Sequence, residues 1–219
     1  MTTLIVIAKE CVPGRVKTRL HPPLSLRQAA ELAEASLEDT LEAVATLPAT
    51  RRILAFDGIR LPPGSEHYDV EHQIGGELDE RLAAIFDAST GPTVLIGMDT
   101  PQVTHALLAP MFATWPRDVD AWLGLATDGG YWALGMARPD GALISGVPMS
   151  RDDTGARQLE RLHSAGLNVR MLPELTDVDT ISDARAVAAI APHGRFASTL
   201  DRLDAEPPEN LPPQKAANS

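Results

Sequence analysis

The first apolar run of the chain, TLIVIA at 3–8, shows no alternation of polar and apolar positions, and its β-branched content predicts a strand buried on both faces. From Ser25 the period changes. Ser25 and Gln28 have the spacing of a capping box, and Leu26, Ala30, Ala33, Leu37, Leu41 and Val44 follow at steps of three and four, which predicts a long amphipathic helix. RRILAF at 51–56 predicts a second strand and RLPPGSE, rich in proline and glycine, a loop after it. Beyond Gly75-Gly76, ELDERLAAIFDA places Leu78, Leu82, Ile85 and Phe86 on one helical face. PTVLIG at 92–97 is again apolar throughout, as in a sheet covered on both sides.

DAWLGLA and YWALGM predict two further strands around the turn TDGG. A helix from Thr154 to Ala165 should end at Gly166 with Leu167 behind it, and NVRMLPEL reads as a late strand. Thr180 with Asp183 caps a last predicted helix that stops at Pro192. Strands and helices alternate, so the expected fold is α/β, a three-layer α/β/α domain with a mostly parallel mixed sheet. With no linker or repeat to mark a boundary, one domain is expected over 1–203. From Asp204 a polar, proline-rich tail over 204–219 is expected to be disordered.

The formal net charge of -11 argues against a protein that coats nucleic acid or an anionic membrane. The N-terminal apolar run is too short for a signal peptide's core or a membrane span, so a cytoplasmic location without membrane insertion is expected. A single cysteine, Cys11, excludes an internal disulfide framework and a cysteine-rich zinc site. Two readings of it stand: a thiol activated by neighbouring cations, or a small residue filling space in a loop.

Against that acidic background the segment AKECVPGRVKTRL at 8–20 is unusual. It gathers Lys9, Arg15, Lys17 and Arg19 with only Glu10 opposing them, and Pro13-Gly14 excludes a regular helix. Four local cations outweigh a distant acidic surface, because charges beyond about 8 Å are largely screened at physiological ionic strength. A basic loop at the carboxyl end of an early strand is where open α/β sheets hold anionic ligands. The segment is not a P-loop, since Val16 precedes Lys17 and Gly14 is its only glycine, and no G-x-G-x-x-G follows the first strand. Its side chains, arginine forks and mobile lysines, would neutralise a polyphosphate.

IGMDTP puts Asp99 at the end of a buried strand, where a carboxylate either pairs with a cation or caps the helix expected near Thr104. Asp177 and Asp179 of DVDT also follow a predicted strand. Magnesium bound to phosphates uses one or two protein carboxylates, so Asp99 with Asp179, or with Asp177 in its place, would suffice. DVDT matches the D-x-D-x-T nucleophile of haloacid-dehalogenase-type phosphatases poorly, because the threonine follows at once and the stretch lies late in the chain. In ATDGGYWALG, Asp128 precedes Gly129 and Gly130, which either admit a ligand or simply turn a hairpin. Tyr131 and Trp132 follow, with one of the two expected in the core. Thr154-Gly155 is either an anion site at a helix start or an ordinary cap. The six histidines form no metal-binding pattern and there is no G-x-S-x-G.

The stretches AKECVPGRVKTRL, GGELDERL, IGMDTPQ, DGGYWALG, GVPMSRDDTG and DVDTISDA, in this order from residue 3 to about 191, together resemble the bacterial glycosyltransferase-A-like proteins often catalogued as having unknown function. These are relatives of 2-phospho-L-lactate guanylyltransferase and the molybdenum-cofactor nucleotidyltransferases. The resemblance implies a nucleotide-diphospho-sugar transferase fold, with the nucleotide over the first strand's loop and Mg2+ or Mn2+ at the aspartate after the central strand. By position, Lys9, Gly14, Arg15, Lys17 and Arg19 would contact phosphates, and Gln73, Gly75 and Gly76 would lie near the base. Asp99 would bind metal with Asp179, Asp177 being the other candidate, while Gly129, Gly130, Tyr131, Trp132 and Thr154 would shape the acceptor site. Lys17, Asp99 and Asp128 form the expected catalytic set. Where the family usually shows D-L-G, this chain has Glu77-Leu78-Asp79. The function expected first is glycosyl transfer from a nucleotide sugar to a small-molecule acceptor. Nucleotidyl transfer from a nucleoside triphosphate to a phosphorylated small molecule is the alternative, and a nucleotide-binding module without turnover a third.

Overall fold

Strand β1 (Thr3–Lys9) accounts for the missing alternation in TLIVIA: Leu4 and Val6 enter one apolar cluster and Ile5 another, on opposite faces of the sheet. The computed structural model describes residues 2–206. β1 is central and parallel to β2 (Arg51–Asp57) on one side and to β4 (Thr93–Ile96) on the other. β3 (Asp69–His72) adds in parallel to β2 at one edge. β6 (Tyr131–Met136) runs antiparallel between β4 and β5 (Ala121–Leu125), and β7 (Val169–Met171) lies parallel to β5. The order β3-β2-β1-β4-β6-β5-β7 makes a seven-stranded, mostly parallel mixed sheet.

Helices cover both faces, as the unbroken apolar strands require. α1 (Leu26–Ala45) and α3 (His105–Phe112) share one cluster with Leu4, Val6 and Leu54. α2 (Leu78–Asp87) and α4 (Thr154–Ser164) share the other with Ile5, Leu95, Leu123 and Leu134. α1 carries a second apolar stripe, Ala29 and Leu32, against which α5 (Ile181–Ile190) and α6 (Arg195–Ala205) pack through Val187, Phe196, Leu200 and Leu203. Ser25 with Gln28 and Thr180 with Asp183 form the foreseen capping boxes. Gly166, at φ 76, ends α4 while Leu167 N–H returns to Leu162 O.

Two elements go beyond the sequence-based expectation. β3 has exposed Asp69, Glu71 and His72, and its strand conformation comes from pairing with β2 at the sheet edge. α6 follows the predicted stop at Pro192; its first amides are satisfied from outside the helix, Arg195 N–H and Phe196 N–H both donating to the Asp39 carboxylate. Asp204 and Ala205 complete α6, and the remainder of the tail predicted to be disordered, 207–219, lies outside the described residues. Among the described residues no helix is long and apolar enough to cross a membrane.

The topology has one consequence for chemistry. The carboxyl ends of β1, β2 and β4 and the β5–β6 turn all face the same end of the sheet, so Lys9, Asp57, Asp99 and Asp128 open on a common cleft.

Candidate active site

The cleft has a volume of about 780 Å³. Its basic wall is the loop after β1. Gly14, at φ 78, turns the chain, and Val16 and Leu20 sink into the core as the loop's two apolar anchors. Lys17 stands between them with φ 44 and ψ 40, a left-handed conformation few non-glycine residues adopt, at the start of a short 3-10 turn over Thr18–Leu20. Its side chain is only 8% exposed. Lys9 and Arg15 line the same cleft and carry no ion pair among the described residues.

Facing this loop are the acids. Lys17 Nζ lies 3.0 Å from Asp99 Oδ1 and 3.1 Å from Asp179 Oδ1, and Arg19 Nη1 lies 2.9 Å from Asp179 Oδ2. Burial works against the charge on Lys17, but the two carboxylates outweigh it and raise its pKa above the ordinary value. Backbone bonds hold the acidic loops together: Val178 N–H donates to Asp99 O, and Ser36 Oγ–H anchors Met98 O. Gln102 Nε2–H donates to Thr176 O, just ahead of Asp177. Thr104 caps α3, so Asp99 is not the cap of that helix.

Asp177 lines the same cleft. Burial, followed by the charges of Asp99 and Asp128, pushes its carboxyl up to about 7. The donors are all hard oxygens, which suits Mg2+ or Mn2+. Among the described residues no three acidic, histidine or cysteine side chains are grouped to hold an ion by themselves. Two carboxylates completed by phosphate oxygens and water match that arrangement, and Asp99 and Asp179 fit it.

At the β2–β3 end of the cleft, Gln73 Nε2 donates to Ala8 O at 2.8 Å and to Ala55 O at 3.0 Å, which fixes the amide with its oxygen turned towards Arg81. Arg81 is held in turn by Gly76 O and Asp57 Oδ2. Gly75 and Gly76 stand behind this group and do not line the cleft, and neither does Gly14. Sequence reasoning missed Arg81 and Asp57. Arg81 lies one turn after Leu78 on α2, a spacing that could have placed it on the cleft side.

On the opposite wall, the β5–β6 turn holds Asp128, whose Oδ1 accepts from Gly130 N–H at 2.8 Å. Gly129 has φ 91, and a Cβ there would lie 2.0 Å from Asp152 O. Only glycine fits. Of the aromatic pair, Trp132 is the core member: it is 2% exposed and its indole N–H donates to Pro173 O. Tyr131 lines the cleft next to Met149, and burial followed by the charge of Asp79 pushes its phenol pKa up. Thr154 is buried, its hydroxyl donating to Pro148 O, while Gly155 N–H donates to Gly129 O. These bonds leave the start of α4 little to offer an anion. Arg151 and Asp152, which the sequence did not single out, complete this wall. Arg151 is engaged by Asp153 at 3.4 Å. Cys11 is buried beneath the basic loop, and burial pushes its thiol up to about 12, so space filling describes it and activation does not.

Residues 38–151 match the sequence model of a family described as uncharacterized proteins conserved in bacteria. No curated protein matches the chain. Among solved structures, a provisionally named nucleotide-diphospho-sugar transferase from Desulfovibrio desulfuricans G20 is 24% identical, with TM-score 0.82 over 93% of this chain and 95% of its own. A nucleotidyl transferase from Methanothermobacter thermautotroptrophicus is 16% identical, with TM-score 0.55 over 88% and 98%. The 2-C-methyl-D-erythritol 4-phosphate cytidylyltransferase from Thermus thermophilus is also 16% identical, with TM-score 0.53 over 88% and 100%. These likenesses show a fold of the nucleotide-diphospho-sugar transferase type.

Proposed function

The chain belongs to the DUF2064 family of uncharacterized proteins conserved in bacteria, and we propose that it is a metal-dependent transferase using a nucleotide-activated donor, moving a glycosyl group from a nucleotide-diphospho-sugar to a small acceptor. One observation carries this reading: charge is segregated across the cleft. Lys9 and Arg15, without ion pairs among the described residues, stand on the β1 side, while Asp128 and Asp152 line the β5–β6 side with Arg151 already engaged by Asp153. A diphosphate suits the first wall. The second repels a phosphorylated acceptor and favours a neutral hydroxyl.

In the proposed reaction the acceptor oxygen bonds to the anomeric carbon as the bond from that carbon to the β-phosphate oxygen breaks, and the nucleoside diphosphate leaves. Lys9 and Arg15 hold its phosphates, with Lys17 and Arg19 adjoining. Asp128, whose carboxylate accepts from Gly130 N–H, would take the hydroxyl proton. Asp99 and Asp179 would hold Mg2+ or Mn2+, which when bound supplies positive charge beside the leaving phosphate. Gln73, with Gly75 and Gly76 behind it, would border the base, and Tyr131 the acceptor.

Nucleotidyl transfer with release of pyrophosphate is the second reading. It is favoured by four cations on one loop, enough for a triphosphate, and by the names of two of the solved relatives. Incubation with Mg2+ or Mn2+, a panel of nucleoside triphosphates and nucleotide sugars, and neutral or phosphorylated acceptors separates the two. Nucleoside diphosphate released with a neutral acceptor supports glycosyl transfer; pyrophosphate released with a phosphorylated acceptor refutes it in favour of the second. Tight nucleotide binding without turnover would instead indicate a binding module. Asp99→Asn is expected to abolish metal-dependent turnover while the circular dichroism spectrum stays unchanged, and equal turnover in that variant would show the metal site is elsewhere.

A further inference from the structure

We propose that Lys17 is an exchangeable counter-ion that keeps a divalent cation off Asp99 and Asp179 until a polyphosphate draws its ammonium away, so that cation and donor load together. The inference rests on the proposed polyphosphate donor and concerns what the site does before that donor arrives.

Three features carry it. Lys17 Nζ lies within 3.1 Å of one oxygen of each acid, so its charge already engages both carboxylates that would hold the ion. With its side chain 8% exposed, the ammonium has little water to screen it from a second cation. The lysine head is a point charge with three donors on a flexible four-carbon stem, so it can turn to a phosphate without moving its backbone. That backbone is pinned by the buried Val16 before it and by Leu20 N–H donating to Lys17 O after it. Lys9 and Arg15, which carry no ion pair among the described residues, offer the incoming phosphates a first landing point in the same cleft.

The acids thus behave as a site already neutralised by the protein's own charge. An ion entering alone must displace Lys17 into water or share the carboxylates with it, and both weaken binding. A polyphosphate removes the obstacle by giving the ammonium another anion. The coupling is reciprocal, so a cation on the acids should also strengthen polyphosphate binding.

The test uses the full chain and two probes applied separately: Mn2+ alone, with free ion read by electron paramagnetic resonance, and inorganic pyrophosphate alone, by calorimetry. Lys17→Met is expected to bind Mn2+ about tenfold or more tightly than the unsubstituted chain, and pyrophosphate more weakly. Lys17→Arg, which keeps the charge, should hold Mn2+ at the original weak level. A merely structural lysine would move both affinities the same way. Where circular dichroism shows that Lys17→Met does not fold, Lys17→Gln takes its place. Mn2+ binding no tighter in the uncharged variants overturns the inference and leaves the proposed function standing. Absence of both Mn2+ and pyrophosphate binding from every form overturns the inference and the proposed donor site together.

Discussion

Replacing Gly129 by alanine tests the geometry of the β5–β6 turn. Gly129 has φ 91, and a Cβ there would stand 2.0 Å from Asp152 O, against the 3.0 Å below which such contacts are essentially never seen. The left-handed backbone alone costs an alanine about 1–2 kcal/mol. Forcing the Ser150–Asp152 segment back by roughly 1 Å adds overpacking strain of about 1–3 kcal/mol. Gly91 isolates the first contribution, because its φ is 73 but nothing lies within 4 Å of a Cβ there. Urea unfolding with an unchanged slope should therefore place Gly129→Ala below Gly91→Ala in stability, by the overpacking part alone. The turn also aims Asp128, and a displacement of this size costs turnover about a hundredfold where positioning matters. Equal stability in the two variants would refute the close approach, and with it the placement of the Asp128 carboxylate.

Two further outcomes are expected. Cys11, its thiol pushed up to about 12 by burial, should react with an aromatic disulfide reagent near pH 8 roughly a thousandfold more slowly than an ordinary thiol, and fully once urea is added; prompt labelling of the native chain would show the loop is open. Asp39→Ala removes the acceptor for the first two amides of α6 and should cost about 1–2 kcal/mol, with faster hydrogen exchange confined at first to 195–205. Unchanged exchange there would mean that α6 does not depend on this cap.

Much of the fold was legible because burial writes itself into periodicity. Strands covered on both faces are apolar without a break, α1 repeats at three and four, and the capping boxes mark starts that the structure reproduces. β3 was not legible: three of its four residues are polar or charged, and only β2 makes it a strand. α6 was within reach, since Phe196, Leu200 and Leu203 keep a helical interval, but its cap is supplied from Asp39, more than 150 positions earlier. In the cleft, the charged members of the basic loop and the aspartates at the ends of strands could be picked out because charge beside a buried strand needs a reason. Which acid meets which base could not. The partnership of Lys17 with Asp99 and Asp179 depends on crossover connections that bring loops from opposite ends of the sequence together. Likewise, nothing local says that the Gln73 amide is spent on two strand carbonyls or that Trp132 is the more deeply buried of the aromatic pair.

The bond from Val178 N–H to Asp99 O fastens the loop after β4 to the one that enters α5. The two carboxylates that Lys17 bridges are thereby mounted on a single plate, and their spacing is a property of the scaffold. Lys9 and Arg15, which carry no ion pair among the described residues, have no comparable brace and keep the freedom of their own stems.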